Sequence, residues 1–140
     1  MAFFIERIKK LFGTQPIKVT YLEGNVAAGK STLLTSIKKK FPDVHVAPEE
    51  VSKFTLLASR YRNPDRFFFS SQVQICMVHY ETIRRALTKA APGSHIVVER
   101  SIHASLCFAD FALSKNQITN DEFEILKNLA NILKAKLESE

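Results

Sequence analysis

Cysteine is scarce in this chain of 140 residues. Cys76 and Cys107 stand far apart, without metal-ligand spacing, which points to a reducing compartment and away from a zinc site. Both have apolar neighbours and are expected to pack as small hydrophobes. No stretch approaches the roughly 18 consecutive apolar residues of a membrane span, so no membrane partner is expected. The basic opening "MAFFIERIKKLFG" lacks the apolar core and small-residue cleavage site of a secretory signal. Its single Arg and single Glu also suit a mitochondrial presequence poorly. A short helix or flexible leader over residues 1–15 is expected instead, in a cytoplasmic protein, with the mitochondrion as the lesser alternative. Internal repeats and low-complexity segments are absent.

What is present is an ordinary globular composition, 46% hydrophobic and 24% charged, which excludes wholesale disorder. The length fits one domain, taken as residues 16–140, able to bury about two-thirds of its unfolded surface. A net charge of +6 favours an anionic partner, either nucleic acid or a phosphorylated small molecule. Nucleic acid rests on charge alone and is the weaker expectation.

Apolar β-branched runs at 17–22, 44–47 and 95–99 read as strands. Between and after them, helices are expected over 30–41, 49–60, 64–91, 102–113 and 121–137. "TNDEFE" gives the last of these a capped, acid-rich start, and "KKK" at 38–40 suits the C-terminal turn of the first. Strands alternating with helices predict an α/β fold, a parallel sheet flanked by helices.

The stretch "GNVAAGKS" fits the pattern G-x-x-x-x-G-K-[ST] and lies between a predicted strand and a predicted helix, as a P-loop requires. Gly24 and Gly29 permit the tight turn, and Asn25, Val26, Ala27 and Ala28 complete a loop whose N–H groups aim at phosphate. The helix N-terminus adds partial positive charge. Lys30 brings a cation to the outer phosphates, Ser31 a hydroxyl to magnesium, and Thr32 supports the loop.

Three further stretches carry candidate chemistry. In "APEEVSKF" a carboxylate past a strand end could accept a proton from a hydroxyl attacking the γ-phosphate; a helix opening with two acids is the plainer account. In "RYRNPDRFFFSSQVQICM" Gln72 and Gln74 lie close to Phe67, Phe68 and Phe69, so amide pairing with a base edge and aromatic stacking compete with ordinary core packing. In "VVERSIHAS" Glu99 and Arg100 end an apolar strand, either as a paired site or as a structural salt bridge. His103 reads as a helix-start residue.

Taken in order, the P-loop, "PEEV", "Y-x-x-P" followed by a glutamine in a long helix, and "ERS" resemble the deoxynucleoside kinase family over residues 16–113. The resemblance implies a P-loop NTPase fold and transfer of phosphate from ATP, with Mg2+, to the 5′-hydroxyl of a deoxynucleoside. By that resemblance Glu49 is the general base, Tyr61 meets the sugar 3′-hydroxyl and Gln72 pairs with the base. Glu99 and Arg100 order the 5′-hydroxyl, Glu99 lies near magnesium beside Ser31, and Phe108 is the candidate aromatic that stacks on the base. A homodimer through the long helices, using "VQICMVHYETI", is implied as well, with core packing as the competing account.

The chain departs from the family pattern in several places. Glu50 replaces a proline, Phe54 and Phe67 replace tryptophans, and Ser71 replaces a phenylalanine. The interval between "ERS" and "CFADF" is one residue short. The further strands and arginine-rich lid of the family have no counterpart before residue 140, so an incomplete C-terminus is expected. A nucleoside monophosphate kinase and a non-catalytic nucleotide-binding or regulatory relative are the alternatives to the kinase reading.

Overall fold

The structure, a computed structural model, describes residues 2–9, 16–25 and 27–139. Four strands form one sheet: β1 (Ala2–Lys9), β2 (Ile17–Gly24), β3 (His45–Ala47) and β4 (His95–Glu99), in the spatial order β1-β2-β4-β3. The helices are α1 (Lys30–Lys40), α2 (Leu57–Arg62), α3 (Pro64–Lys89), α4 (Ala104–Ser114) and α5 (Asn120–Ser139).

The three expected strands are present, and β4 pairs in parallel with both β2 and β3. The N-terminal expectation is corrected: Ala2–Lys9 is a strand, antiparallel to β2, with Ala2 opposite Gly24 and Lys9 opposite Ile17. Over so short a run Phe3, Phe4, Ile5 and Ile8 suit a strand as well as a helix. The unpaired edge of β2 supplies the hydrogen-bonding partners that decide between them. Residues 1 and 10–15 of the expected leader lie outside the described residues.

Two compact units make up the chain, one comprising residues 1–49 and 82–101, the other 50–81 and 102–140. The first holds the sheet and α1. Helix α1 packs on β2, β3 and β4 and covers apolar side chains there. Leu22, Leu34 and Val97 form the buried centre, with Leu33, Ile37, Val44 and Val46 around them. The lysines of "KKK" occupy the last turn of α1, where their charge opposes the helix dipole favourably.

The second unit is helical. Phe68 of α3, Ala109 and Ala112 of α4, Ile118 and Leu126 of α5 make its buried cluster, and Phe69, Val73, Phe108, Leu113 and Phe123 pack against it. The alanines let α4 approach its neighbours closely. A reciprocal capping box opens α5: Thr119 Oγ1 accepts from the Glu122 N–H at 3.1 Å, and a Glu122 carboxylate oxygen accepts from the Thr119 N–H at 2.9 Å.

The helix expected over 49–60 is interrupted. A 3-10 turn covers Val51–Lys53, and Phe54 has non-helical φ −84° and ψ 68° before α2 begins. Phe54 is buried, its ring edge-on to His79 with centroids 5.8 Å apart, and burying that ring outweighs helical continuity. Cys76 is buried as expected, but Cys107 is exposed, on the outward face of α4. In "VQICMVHYETI", Cys76, His79, Tyr80 and Ile83 are buried by this chain itself, in keeping with core packing, while Met77 is exposed.

Candidate active site

The first unit carries the loop between β2 and α1 and the Glu99–Arg100 segment. Val26 lies outside the described residues; the rest of the loop turns between the end of β2 and the start of α1. Left-handed backbone falls at Ala27, φ 62°, and Gly29, φ 85°. A Cβ at Gly29 would meet nothing within 4 Å, so glycine is favoured there by backbone conformation rather than by space. Gly24 instead ends β2. No side chain caps α1 and no acidic residue sits in its first turn, which leaves its N-terminus suited to an anion.

Lys30 is buried, and its ammonium donates to the carbonyls of Gly24 at 3.1 Å and Asn25 at 2.7 Å. Burial lowers its pKa from 10.5, and the nearby Arg100 charge adds to that lowering. Glu99, Glu49 and Glu23 act in the opposite direction.

Glu99 ends β4 and is buried. One of its carboxylate oxygens accepts from the Ser31 hydroxyl at 3.3 Å, and the other from the Glu49 backbone N–H at 2.9 Å. A single carboxylate therefore ties the start of α1 to the segment after β3. Arg100 follows in the left-handed region, φ 66°, a conformation that costs a non-glycine residue on the order of 1 kcal/mol. Its N–H donates to the Leu22 carbonyl at 2.9 Å, which fixes that turn against β2. The Arg100 guanidinium lies 3.8 Å from the Glu49 carboxylate, an ion pair longer than a direct hydrogen bond, with both side chains nearly buried.

Sequence reasoning missed Glu23. This buried carboxylate of β2 accepts from the Ser101 N–H at 2.8 Å and from the Ser101 hydroxyl. It pins the residue after Arg100 to the strand that leads into the loop. The signal was an acidic residue at the end of a mostly buried strand.

The oxygens of Ser31 and Glu99 fit a magnesium ion: they are neighbours, and two adjacent ligands of an octahedral Mg2+ at 2.0–2.1 Å stand about 3 Å apart. Among the described residues no group of three or more His, Cys, Asp or Glu side chains could hold a metal. An ion here would therefore need phosphate oxygens and water to complete its shell.

The second unit carries the other candidates. Tyr61 is 74% exposed. Phe108 is half-buried against the helical core. Gln72 is 1% exposed, and its Oε1 accepts from Arg60 Nη1 at 2.9 Å. Gln74 is committed at both ends, accepting from the Leu56 N–H at 3.0 Å and donating to Thr55 at 2.7 Å, so its role is structural. Ser71 is wholly buried and donates to the Phe68 carbonyl at 2.9 Å. Glu50 pairs with Lys53 at 3.1 Å. His103 directly precedes α4 and makes no side-chain capping bond to it.

The deoxynucleoside kinase family profile matches residues 20–139. The chain belongs to the deoxynucleoside kinase family. A protein of Frog virus 3 (isolate Goorha), provisionally named a deoxynucleoside kinase, is 33% identical over 77% of this chain and 54% of its own length. Deoxycytidine kinase 1 of Xenopus laevis is 27% identical, over 63% of this chain and 42% of that protein. Deoxycytidine kinase of Bos taurus is 28% identical, over 63% and 43%. The chain thus spans about half the length of the curated relatives it matches. No helix among the described residues is long and apolar enough to cross a membrane.

Proposed function

We propose that this chain transfers the γ-phosphate of ATP to the 5′-hydroxyl of a deoxynucleoside. The observation that carries the reading is the Glu99 bridge. It holds Ser31 of the phosphate loop and Glu49 of the following segment on one carboxylate, with Lys30 and Arg100 beside them.

In this reading the loop N–H groups and the N-terminus of α1 hold the β- and γ-phosphates, and Lys30 neutralises charge on them. Ser31 and Glu99 hold magnesium, which supplies further neutralisation of phosphate charge when bound. The Glu49 carboxylate takes the proton of the acceptor hydroxyl. The acceptor oxygen forms a bond to the γ-phosphorus while the bond to the β,γ-bridging oxygen breaks, releasing ADP. Arg100, held by its turn and by Glu49, orients the acceptor oxygen. Gln72 pairs with the base, Tyr61 with the sugar, and Phe108 offers the aromatic face.

The test is phosphorylation of the four deoxynucleosides and their monophosphates by the purified chain with ATP and magnesium, with Lys30→Ala alongside. Lys30-dependent turnover of a nucleoside is the expected result. Turnover of monophosphates alone would replace the reading with a nucleoside monophosphate kinase. Nucleotide binding without turnover would leave a non-catalytic relative.

A further inference from the structure

The contact between Arg60 and Gln72 has no part in the reaction above, which draws on Gln72 alone. Arg60 stands on α2 and Gln72 on α3, both within the helical unit. The guanidinium carbon of Arg60 lies 4.0 Å from the centroid of the Phe68 ring, a stacked position that holds the cation in place. From there Nη1 donates to Gln72 Oε1 at 2.9 Å. The remaining polar atom of that side chain, Nε2, is buried and has no hydrogen-bond partner. Burial lowers the Arg60 pKa, with the neighbouring Tyr61 acting the other way, in agreement with a cation drawn into the protein.

A glutamine amide can ordinarily rotate by half a turn and exchange its donor and acceptor ends. Arginine has donors only, so the end that meets Arg60 must be the oxygen. The amide is thereby locked with its oxygen on Arg60 and its NH2 group on the other side. A buried donor without an acceptor costs free energy, whereas a ligand atom that accepts from it removes that cost. An exocyclic amino group placed there would meet a donor, with a guanidinium one hydrogen bond behind it.

We propose that Arg60 is a specificity-determining residue. By locking the Gln72 amide, it selects nucleobases that present an oxo group, the 6-oxopurines and 4-oxopyrimidines, over their amino counterparts. The inference rests on the reading of Gln72 as the residue that meets the base. It adds the chemical class of base and a residue that no motif in the sequence marks.

Two size-matched pairs test it: deoxyinosine against deoxyadenosine, and deoxyuridine against deoxycytidine. Dissociation constants from calorimetry and kcat/KM with ATP and magnesium are both measured. The expected result is a preference of about tenfold or more for the oxo member of each pair, the size of one well-placed hydrogen bond in base discrimination. Arg60→Met frees the amide to rotate and should bring each pair within about threefold, while Arg60→Lys, which keeps a donor and the charge, should retain most of the preference. Equal or amino-favouring discrimination in the native chain overturns the proposal, with or without a folded variant, and so does failure of every nucleoside to bind. Oxo-selective binding without turnover would remove the kinase reading and leave this one standing. Turnover without oxo selectivity would do the reverse.

Discussion

In the sheet-bearing unit, Glu99 holds both a hydroxyl from α1 and a backbone N–H from the segment after β3, and Glu23 holds Ser101 twice. In the helical unit, Gln74 is committed at both ends to local structure, while the Nε2 donor of Gln72 is buried without a hydrogen-bond partner. One unit has its carboxylates fixed in position by hydroxyl and backbone donors. The other has an apolar core with one unsatisfied amide. The difference matches the demands of the two proposed tasks. Charge stabilisation in phosphoryl transfer requires groups held in place before the reaction, whereas recognition of a ligand leaves a polar atom for the ligand to complete.

If that contrast is right, the largest effect belongs to the group at the acceptor. Glu49→Gln keeps the shape of the side chain and the backbone N–H bonded to Glu99, but removes the proton acceptor. Turnover should fall on the order of 10² to 10⁴-fold, with nucleoside binding and folding little changed. A variant that kept its rate would show that the fixed cluster is structural, and the contrast between the units would lose its functional meaning. The next effect is on stability. Glu23→Ala leaves the Ser101 N–H and hydroxyl without their shared acceptor in a buried place. A loss of about 2 kcal/mol in urea unfolding is expected, with a fall in kcat because the Arg100 turn is no longer held. A stability change without any kinetic one would confine Glu23 to the fold.

How far the sequence could be read differs between the same two units. The loop between β2 and α1, the parallel strands and the charged end of β4 were legible, because each rests on a local pattern: an apolar run, glycine spacing, charges ending a strand. Strand β1 was not, since its geometry is decided by pairing with β2 and not by its own residues. The break between Glu49 and α2 was hidden for a similar reason, as the burial of Phe54 against His79 is a long-range contact. No reading of the sequence singled out Arg60. Only the structure shows its guanidinium stacked on Phe68 and its donor on Gln72.

A smaller test separates local capping from the proposed chemistry. Thr119→Ala removes the hydroxyl that accepts from Glu122 at the start of α5 and should cost about 1 kcal/mol. It should leave kcat unchanged, since neither residue has a part in the proposed site. A kinetic effect as large as that of Glu23→Ala would mean that the start of α5 has a part in the chemistry beyond its local cap.

The smallest effect expected is the pH dependence carried by Lys30. Its pKa is lowered in the folded chain, chiefly by burial and then by Arg100, so the unfolded chain holds that proton more firmly. The linked contribution to stability is then fully present above 10.5 and is lost as the pH falls through the folded value. Stability should rise with pH across that window, and Lys30→Met should flatten the rise, measured as urea midpoints on the alkaline side. A direct reading comes from the Nζ resonance, which should titrate below 10.5. A value above it would mean that Glu99, Glu49 and Glu23 outweigh burial at the ammonium. The lysine would then be a strongly paired cation, less free to leave its loop carbonyls for a phosphate. The sign of that one shift thus distinguishes a lysine held ready for an anion from one already neutralised by the cluster around it.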